Sequence, residues 1–430
     1  MQPQAHTGSY YAASVNHDTD FAPLRGAQDA DVCVVGAGFT GISTALHLAE
    51  RGYNVHVVEA NKVGWGASGR NGGQMISGIS GRKNIAKRQA FAHKLGKHTN
   101  EVLKELRWAG HEIIRERVAT YGIQCDLKYG YLDVAIRKKH VRDLEADYEQ
   151  LQKDKFPDEY RLLSADETRE TIGTSAYIGA LQNMANGHLH PLNLCIGEAR
   201  AAVSLGATVY EQSNVIRIEK GSRPRVVTQQ GAVSADAVVI AGNAYHALER
   251  KLRDIMLPVN SYIIATEPLS EEIVAAINPQ DLAVCDPNVV LEYFRLSADK
   301  RLLFGRRFNY FDFDPDVIKN NLRPRMLKIY PQLADVGIDY AWGGTIGVPI
   351  NRVPQLGRTS PNVLYCQGYS GHGVNVTHLA GQIMADAVAG TLERFDLFAN
   401  IKPIIIPGAH WLTKPMVTLG MMYYRIKDQL

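Results

Sequence analysis

Cysteine is scarce in this sequence, and its few copies are widely scattered. The 430 residues contain five, at Cys33, Cys125, Cys195, Cys285 and Cys366, and no two of them form a C-x-x-C pair. This spacing argues against a cysteine zinc site and against a dithiol redox pair. Scattered cysteines in apolar segments are typical of a reducing compartment, so we expect a cytoplasmic protein.

Long apolar runs and concentrated charge are also lacking. No uncharged apolar stretch approaches the roughly 20 residues that span a bilayer. Residues 1–20 lack the basic start and apolar stretch of a signal peptide. Lys and Arg number 47 against 44 Asp and Glu, and they form no basic block. We therefore expect no nucleic-acid partner and no membrane association.

The length and composition indicate a globular protein of more than one unit. A chain of 430 residues is too long for one simple core. The 45% hydrophobic and 21% charged residues are ordinary for such a protein. Internal repeats, low-complexity segments and a G-x-S-x-G nucleophile elbow are all missing, so nothing favours a repeat fold or nucleophilic hydrolysis.

One continuous motif predicts a dinucleotide site near the N-terminus. Residues 31–35 form an apolar strand, a glycine-rich turn and a helix follow, and a second strand ends at Glu59. Gly36 suits the tight turn, Gly38 the approach of a pyrophosphate, and Gly41 the packing of helix on strand. The helix N-terminus offers N–H groups to phosphates, and Glu59 can bind ribose hydroxyls. The residues expected to contact the cofactor here are Gly36, Gly38, Phe39, Thr40, Gly41, Glu59 and Ala60.

A glycine-rich loop comes directly after this motif. Its small residues would let the backbone follow an extended ligand, and its polar side chains can bond phosphate, ribitol or ring atoms. The alternative is a mobile surface loop. Because the loop follows the acidic strand end, we expect it to contact the far half of the dinucleotide. Its predicted contact residues are Gly66, Ala67, Ser68, Gly69, Arg70, Asn71, Gly72, Gly73 and Gln74.

A second glycine motif, GYSGHGV at residues 368–374, opens a helix near the C-terminus. Such a helix end is an anion site, and if the dinucleotide is a flavin, it would stabilise negative charge on the reduced ring. The alternative is a turn that serves packing only. His372 either lines the active site or hydrogen-bonds a loop. The predicted contacts are Gly368, Gly371, His372, Gly373 and Val374.

Two further clusters remain open. His188 and His190 would share one face of a strand, but no third ligand accompanies them, so we expect no metal. His190 could line the substrate site or be a structural histidine. Tyr293 and Arg295 would share one face of another strand, as an aromatic wall with a carboxylate-binding cation or as core and solvated residues.

The order of elements predicts an α/β (α+β) fold: a discontinuous Rossmann-like cofactor domain with an inserted antiparallel-sheet substrate domain. The cofactor domain is expected from residues 1–85, 186–255 and 341–395. The substrate domain takes residues 86–185 and 256–340. A helical stretch is expected from residue 84 to residue 121. Residues 396–430 form an apolar tail that we expect to pack on the body, although contact with a partner or a membrane is the alternative.

Together these motifs resemble the FAD-dependent amine and amino-acid oxidase family, which includes glycine oxidase, sarcosine oxidase and D-amino-acid oxidase. The resemblance covers GAGFTG with Glu59, GASGRNGGQ, ADAVVIAGNAY and GYSGHGVNVTHLAG, and so extends over nearly the whole chain. The segments GHLHPLNL and YFRLSADKRLLFG are similar to the branch that oxidises γ-glutamylated polyamines.

The resemblance implies FAD, with Val215 beside the adenine, Gly242 near the cofactor and residues 371–374 at the ring. Sarcosine oxidase attaches its flavin through a cysteine before the last strand. Residues 341–358 contain none here, so we expect non-covalent FAD. The lysine that helps oxygen react in that relative has no clear counterpart here. The sequence therefore does not decide whether the enzyme is an oxidase or a dehydrogenase.

The implied reaction is oxidation of the terminal amine of γ-glutamylputrescine or a related γ-glutamylated polyamine, with O2 as the expected acceptor. The candidate substrate residues are Arg295, Arg352 and His190, and the candidate catalytic residues are His372 and Tyr293. The alternatives are a D-amino-acid or secondary-amine dehydrogenase that reduces a quinone, and a nucleotide-binding module without turnover. The sequence leaves the oligomeric state open.

Overall fold

The structure is a computed structural model that describes residues 4–79, 99–153, 155–156, 159–245, 248–288, 290–307 and 314–406. Residues 84–98 of the expected helical stretch, and the tail beyond residue 406, lie outside these ranges.

The first sheet has eight strands and carries the predicted dinucleotide motif. Its strands are β1 (Gly26–Val35), β2 (Val55–Val58), β7 (Thr208–Tyr210), β8 (Arg217–Glu219), β9 (Arg225–Val227), β10 (Gly231–Ile240), β16 (Gln355–Ser360) and β17 (Val363–Gln367). The main order is β16-β17-β10-β1-β2-β7, and β17, β10, β1, β2 and β7 are mutually parallel. The apolar run of β1 is buried on both faces, which explains why it lacks alternation.

The second sheet has nine strands and lies beside the first. Its strands are β3 (Gln74–Met75), β4 (Lys128–Val134), β5 (Tyr160–Leu163), β6 (Ala180–His188), β11 (Leu257–Thr266), β12 (Ala283–Cys285), β13 (Glu292–Leu296), β14 (Leu302–Arg307) and β15 (Ile338–Val348). The pairs are antiparallel except β4 with β12. The expected antiparallel sheet thus contains one parallel pair, which is possible because β12 follows β4 after a long excursion and not through a hairpin.

The helices cover both sheets. They are α1 (Tyr10–Ala13), α2 (Phe39–Ala49), α3 (Thr99–Thr120), α4 (Lys138–Lys153), α5 (Ala165–Ile172), α6 (Pro191–Ser204), α7 (Arg250–Arg253), α8 (Glu271–Ile277), α9 (Pro315–Ile329), α10 (Gly373–Val388) and α11 (Glu393–Ala399). Helix α10 packs against α2 and α3, and α2 also packs against α6. These four helices form one layer behind the first sheet, and their apolar faces belong to the largest core cluster.

The predicted α/β class with a Rossmann-like parallel sheet is confirmed. The domain limits stay a prediction, with one observation that bears on them. Strand β15 belongs to the second sheet and crosses residue 341, so that sheet extends past the expected limit. The carboxyl ends of the parallel strands β1, β2, β10 and β17 lie at one edge, where ligands of such sheets bind.

Candidate active site

A cavity of about 1180 Å³ lies at this carboxyl edge. One part is lined by the turns after β1, β2 and β10, and another by residues of the second sheet, among them Tyr131, Cys285 and Tyr293. The N-terminal turn of α10 lines it as well, through Gly373 and Val374. The space therefore spans from the parallel strand ends to the second sheet, as an elongated ligand requires.

The glycines after β1 are required by close contacts. Gly36 has a φ of 105°, in the left-handed region that favours glycine. A Cβ on Gly41 would lie 1.9 Å from the carbonyl oxygen of Gly36, so only glycine lets α2 pack so near the turn. A Cβ on Gly38 would lie 2.9 Å from Ser68 Oγ. These glycines thus let the turn, α2 and the Ser68 loop approach one another closely, and Gly36 and Gly38 line the cavity.

Glu59 stands at the end of β2 and lines the same part of the cavity. Its Oε2 accepts a hydrogen bond of 2.7 Å from the Ala37 N–H, and its Oε1 accepts one of 3.0 Å from the Asn61 N–H. Burial raises the pKa of this carboxyl group, while the two N–H donors act in the opposite direction. These bonds fix the carboxyl group in orientation beside the glycine turn.

The glycine-rich loop is held in place by its own polar side chains. Ser68 Oγ accepts a hydrogen bond from the Phe39 N–H at 2.9 Å, which joins the loop to the start of α2. Asn71 Oδ1 accepts from the Gly73 N–H at 2.7 Å, and its amide donates to the Ala67 and Ser68 carbonyls. The Arg70 guanidinium lies 4.2 Å from the centre of the Trp65 ring. These contacts argue against the mobile-loop alternative.

The start of α10 is joined to α2 across the cavity floor. Thr40 Oγ1 donates a hydrogen bond of 2.7 Å to the Tyr369 hydroxyl. Next along the chain, Ser370 has a φ of 56°, and its N–H donates to the Gly347 carbonyl at 2.9 Å. Gly371 and His372 follow and line the cavity.

Left-handed backbone at residues other than glycine recurs around this cavity. Asn243 has a φ of 47°, Arg352 of 59° and Ser370 of 56°, and all three residues line it. Asn243 Oδ1 accepts the Gly368 N–H at 3.0 Å, and the Arg352 N–H donates to Pro349 at 3.0 Å. Such conformations have a steric cost and concentrate at functional sites.

The structure brings most of the predicted site residues to this one cavity. Those that line it are Gly36, Gly38, Phe39, Thr40, Glu59, Ala60, Gly66, Ala67, Ser68, Arg70, Asn71, Gly72, Gln74, Val215, Gly242, Tyr293, Arg352, Gly371, His372, Gly373 and Val374. Four predicted glycines are not part of the lining but pack directly behind it: Gly41, Gly69, Gly73 and Gly368. For example, a Cβ on Gly69 would lie 2.4 Å from the Gly64 carbonyl oxygen, so a larger residue there would displace the loop. The other two predicted residues, Arg295 and His190, lie elsewhere.

Arg295 does not have the surroundings of a substrate-binding residue. It is 4% exposed, and its guanidinium donates to the carbonyls of Gly72, Leu189 and Leu296 and to the Tyr11 hydroxyl. The predicted carboxylate-binding role is therefore wrong, because backbone oxygens already occupy its donors. Arg295 instead fixes the glycine-rich loop to β13.

His190 is also a structural residue. It is the N-cap of α6, where its Nδ1 accepts the Asn193 N–H at 3.1 Å, and its Nε2 lies 3.1 Å from Ser14 Oγ. Burial lowers its pKa to about 3. His188 ends β6, so the two histidines do not share one strand face as expected. The substrate-lining role predicted for His190 is contradicted by this geometry.

Several residues of the cavity wall were not singled out from the sequence. They are Trp65, Arg107, Asn214, Tyr245 and Asp286. The sequence could have indicated Asn214, because it precedes Val215, which was predicted to contact the cofactor. In the structure, Asn214 Oδ1 is buried with no hydrogen-bond partner in the described part of the chain. Burial, with the charge of Glu292, raises the pKa of Asp286 to about 7. Nothing local in the sequence marks Asp286, because its burial depends on the packing of β12 against β13.

Two searches were negative within the residues that the structure describes. No helix there is long and apolar enough to cross a membrane. No group of three or more His, Cys, Asp or Glu side chains there could hold a metal ion.

A dinucleotide-binding protein is defined by the parallel sheet, the glycine turn and the acidic strand end. The start of α10, a second glycine-rich helix end, lines the same cavity. The class of protein that fits both features is a flavoprotein oxidoreductase. The comparison with known families agrees. The chain belongs to the DAO family, described as FAD dependent oxidoreductase, whose model matches residues 31–387. The protein is therefore an FAD-dependent oxidoreductase.

Two curated relatives are similar over almost the entire chain. The "Gamma-glutamylputrescine oxidoreductase" of Escherichia coli (strain K12) is 42% identical over 427 residues, which are 99% of each chain. The "Probable oxidoreductase OrdL" of Haemophilus influenzae is 40% identical and covers 99% of this chain and 98% of that protein. Among solved structures, glycine oxidase from Geobacillus kaustophilus shares the fold with a TM-score of 0.68 and 23% identity, over 86% of this chain and 98% of that one.

The residues around the cavity fit FAD. Gly38 lines the cavity at the start of α2, where N–H groups and the helix dipole favour an anion such as a pyrophosphate. Asn214 Oδ1 is buried without a hydrogen-bond partner in the described part of the chain, so it can accept from a donor on a bound ligand. The start of α10 reaches the same cavity through Gly373 and Val374 and supplies further N–H groups there.

Proposed function

We propose that this chain oxidises the terminal amine of γ-glutamylputrescine or of a related γ-glutamylated polyamine. The observation that carries the proposal is the 42% identity, across 99% of both chains, to a protein named for that substrate. The fold relatives alone would not choose a substrate, because glycine oxidase shares the architecture at 23% identity.

The cofactor-binding roles that we propose follow the order of the cavity wall. Glu59 and the turn at Gly36 and Gly38 would hold the ADP half, with Val215 and Asn214 beside the adenine. Residues 66–74 would follow the ribitol, and residues 371–374 would meet the ring. When bound, FAD would supply the acceptor for a hydride from the substrate. We propose that it is held without a covalent bond, since residues 341–358 contain no cysteine.

The lining of the cavity suits a substrate that carries both signs of charge. Arg352, close to the start of α10, and Arg107 of α3 supply cationic groups for the carboxylate of a glutamyl end. Asp133 and Asp143 supply carboxylates that suit an amine. Tyr293 and His372 face the same space and are the candidates for contact with the reacting end.

The reaction removes two electrons and one proton, as a hydride, from the carbon beside the amine. Because an ammonium group has no lone pair to support this loss, the amine must be deprotonated first. The resulting imine adds water and releases ammonia, which leaves an aldehyde. We propose that O2 takes the two electrons and two protons and becomes H2O2. The role of this chain's residues is to orient the substrate and to exclude water from the reacting carbon.

The test is anaerobic mixing of the purified protein with γ-glutamylputrescine. We expect the flavin absorbance near 450 nm to bleach, and putrescine, glycine and a D-amino acid to bleach it much more slowly. Acid precipitation should release the flavin into the supernatant, as expected without a covalent bond. An absence of bleaching with every γ-glutamylated amine would refute the substrate assignment.

The acceptor is tested by admitting air to the bleached protein. Rapid return of the colour with one H2O2 for each substrate oxidised supports the oxidase. Slow return in air but rapid return with a quinone would replace it by a dehydrogenase. Bleaching by D-amino acids or secondary amines alone would favour the alternative substrates, and a colourless protein that no FAD restores would favour a binding module.

A further inference from the structure

A buried ionic cluster lies in the helix layer behind the first sheet. Glu198 of α6 is fully buried and accepts a hydrogen bond of 2.9 Å from Arg117 of α3. His378 of α10 is also fully buried, and its Nε2 lies 3.1 Å from the Glu198 carboxylate. The Arg117 guanidinium donates further to Ser43 of α2, at 3.0 Å to Oγ and 3.2 Å to the carbonyl oxygen. The cluster therefore joins α2, α3, α6 and α10.

The hydrogen bonds determine the charge on His378. Its Nδ1 lies 2.6 Å from the Val374 carbonyl oxygen, which can only accept. Burial alone would raise the pKa of Glu198, but the charges of His378 and Arg117 outweigh it and lower that pKa to about 2. The guanidinium of Arg117, which is always charged, donates to Glu198 Oε1 at 2.9 Å and by itself favours the ionised carboxylate, so Glu198 also only accepts. Both ring nitrogens of His378 must then donate, so the ring is an imidazolium.

The resulting cluster has two cations and one anion in a region without solvent. The other titratable side chains near it do not cancel the excess. Cys125 and Cys195 lie near Glu198, and burial raises the pKa of both thiols, so they are neutral. Glu50, near Arg117, is partly exposed and already contacts His47 and the Tyr121 hydroxyl. Charge at the surface is screened far more strongly than charge in the interior.

This excess positive charge lies directly behind the end of α10 that enters the cavity. His378 follows Val374 by one helical turn, about 6 Å along the axis. Gly373, Val374 and Thr377 line the cavity, and the Val374 carbonyl that faces His378 belongs to this same turn. The buried charge therefore adds to the positive end of the helix dipole at the place where we expect the flavin ring.

We propose that the cluster of Arg117, Glu198 and His378 is a positioning and electrostatic element that stabilises negative charge on the flavin through the N-terminal turn of α10. It acts without touching substrate or cofactor. A positive charge in the interior stabilises an anionic ring and so raises the midpoint potential of the flavin. The inference depends on FAD at this cavity and is independent of which amine is oxidised.

The test compares two buried histidines in the holoenzyme. His378→Gln removes one charge and leaves Arg117 paired with Glu198, so the core stays electrically balanced. His111→Gln is the matched control, because His111 is 1% exposed in α3, which packs on α10, and burial lowers its pKa to about 4, so it is neutral. Sulfite adds to oxidised flavin and leaves a negative charge on the ring, so its dissociation constant, read from absorbance, reports that stabilisation.

We expect His378→Gln to weaken sulfite binding about tenfold and to lower the midpoint potential, and His111→Gln to change neither. Unchanged sulfite binding in His378→Gln would overturn the proposal, and so would an equal loss in both variants, since that indicates packing alone. If His378→Gln does not fold, nitrogen-15 NMR of the wild-type protein decides. Both ring nitrogens of His378 must be protonated at pH 7, with or without FAD, and a neutral ring overturns the proposal.

Discussion

Two regions of the molecule each bury a carboxylate, and they shift its pKa in opposite directions. In the helix layer behind the first sheet, Glu198 meets two cations, which lower its pKa to about 2 despite burial. At the cavity wall of the second sheet, burial and the charge of Glu292 raise the pKa of Asp286 to about 7. Asp286 accepts from the backbone and amide N–H groups of Asn288. The charge of a buried carboxylate is thus decided by its partners and not by burial itself.

The largest loss of stability is expected from removing Glu198, the carboxylate that is paired with two cations. Glu198→Ala leaves Arg117 and His378 buried without an anion, so we expect the free energy of unfolding to fall by about 3–5 kcal/mol. Urea unfolding at pH 7, followed by circular dichroism, measures it. A loss below about 1 kcal/mol would show that the three side chains are not one ionic unit.

The pH dependence of this contribution has a definite sign. Because the pKa of Glu198 is lowered in the folded state, its stabilisation is present above the unfolded pKa of about 4.5 and is lost as the pH falls toward 2. Wild type should therefore lose stability in this acid window more steeply than Glu198→Gln. Parallel curves for the two proteins would contradict the assignment.

For Asp286, the contribution to the free energy of unfolding should depend on pH with the opposite sign. A raised pKa means that Asp286 stabilises the fold fully below 3.8 and loses that contribution as the pH rises to about 7. Asp286→Asn cannot ionise, so at pH 8 it should raise the free energy of unfolding by about 1–3 kcal/mol.

The control for this variant is the same measurement at pH 4, where Asp286 is protonated in the folded protein. Asp286→Asn and wild type should then have nearly equal stability. A variant that is destabilised at both pH values would show that Asp286 is held as a stable anion.

A smaller effect tests a contact at the edge of the helix-layer cluster. Ser43→Ala removes the hydroxyl that accepts from Arg117 and donates to the His378 carbonyl, while Glu198 stays paired. We expect a loss of about 1 kcal/mol in urea unfolding. A loss as large as that of Glu198→Ala would mean that packing and not charge dominates this region.

The smallest effect is expected at the surface. Glu219 contacts Arg217 and Arg225 on exposed strands of the first sheet. Glu219→Ala should leave the unfolding midpoint unchanged, because solvent screens an exposed pair. A clear loss there would remove the contrast between buried and exposed carboxylates on which the other predictions depend.

The sequence predicted the cofactor half of the site far better than the substrate half. The turn at Gly36, the acid at Glu59 and the helix opening at Gly373 are local signals, since strand, turn and helix are contiguous in the chain. Arg295 was misassigned because alternation places it on the same strand face as Tyr293 but does not show what covers that face. The carbonyl oxygens that accept from the Arg295 guanidinium belong to residues 72, 189 and 296, which are far apart in sequence.

His190 was misassigned for a related reason. The spacing of His188 and His190 predicts a shared strand face, but β6 ends at His188 and the chain turns into α6. Pro191 at the first helical position was the signal for that turn. The cluster at Glu198 gave a weaker signal, because a charged residue in an apolar helix indicates a buried partner without naming it. Asp286 had no local signal.

By itself, the sequence determined the family, the cofactor and the glycines that admit it, because those contacts are made by backbone within short segments whose geometry follows from residue type. The tertiary structure alone decided which charges are buried, how they pair and which side chains reach the cavity. Arg117, Glu198 and His378 lie on three different helices, and only packing brings them within hydrogen-bonding distance. The charge of an ionisable group depends on that long-range environment, which no local pattern contains.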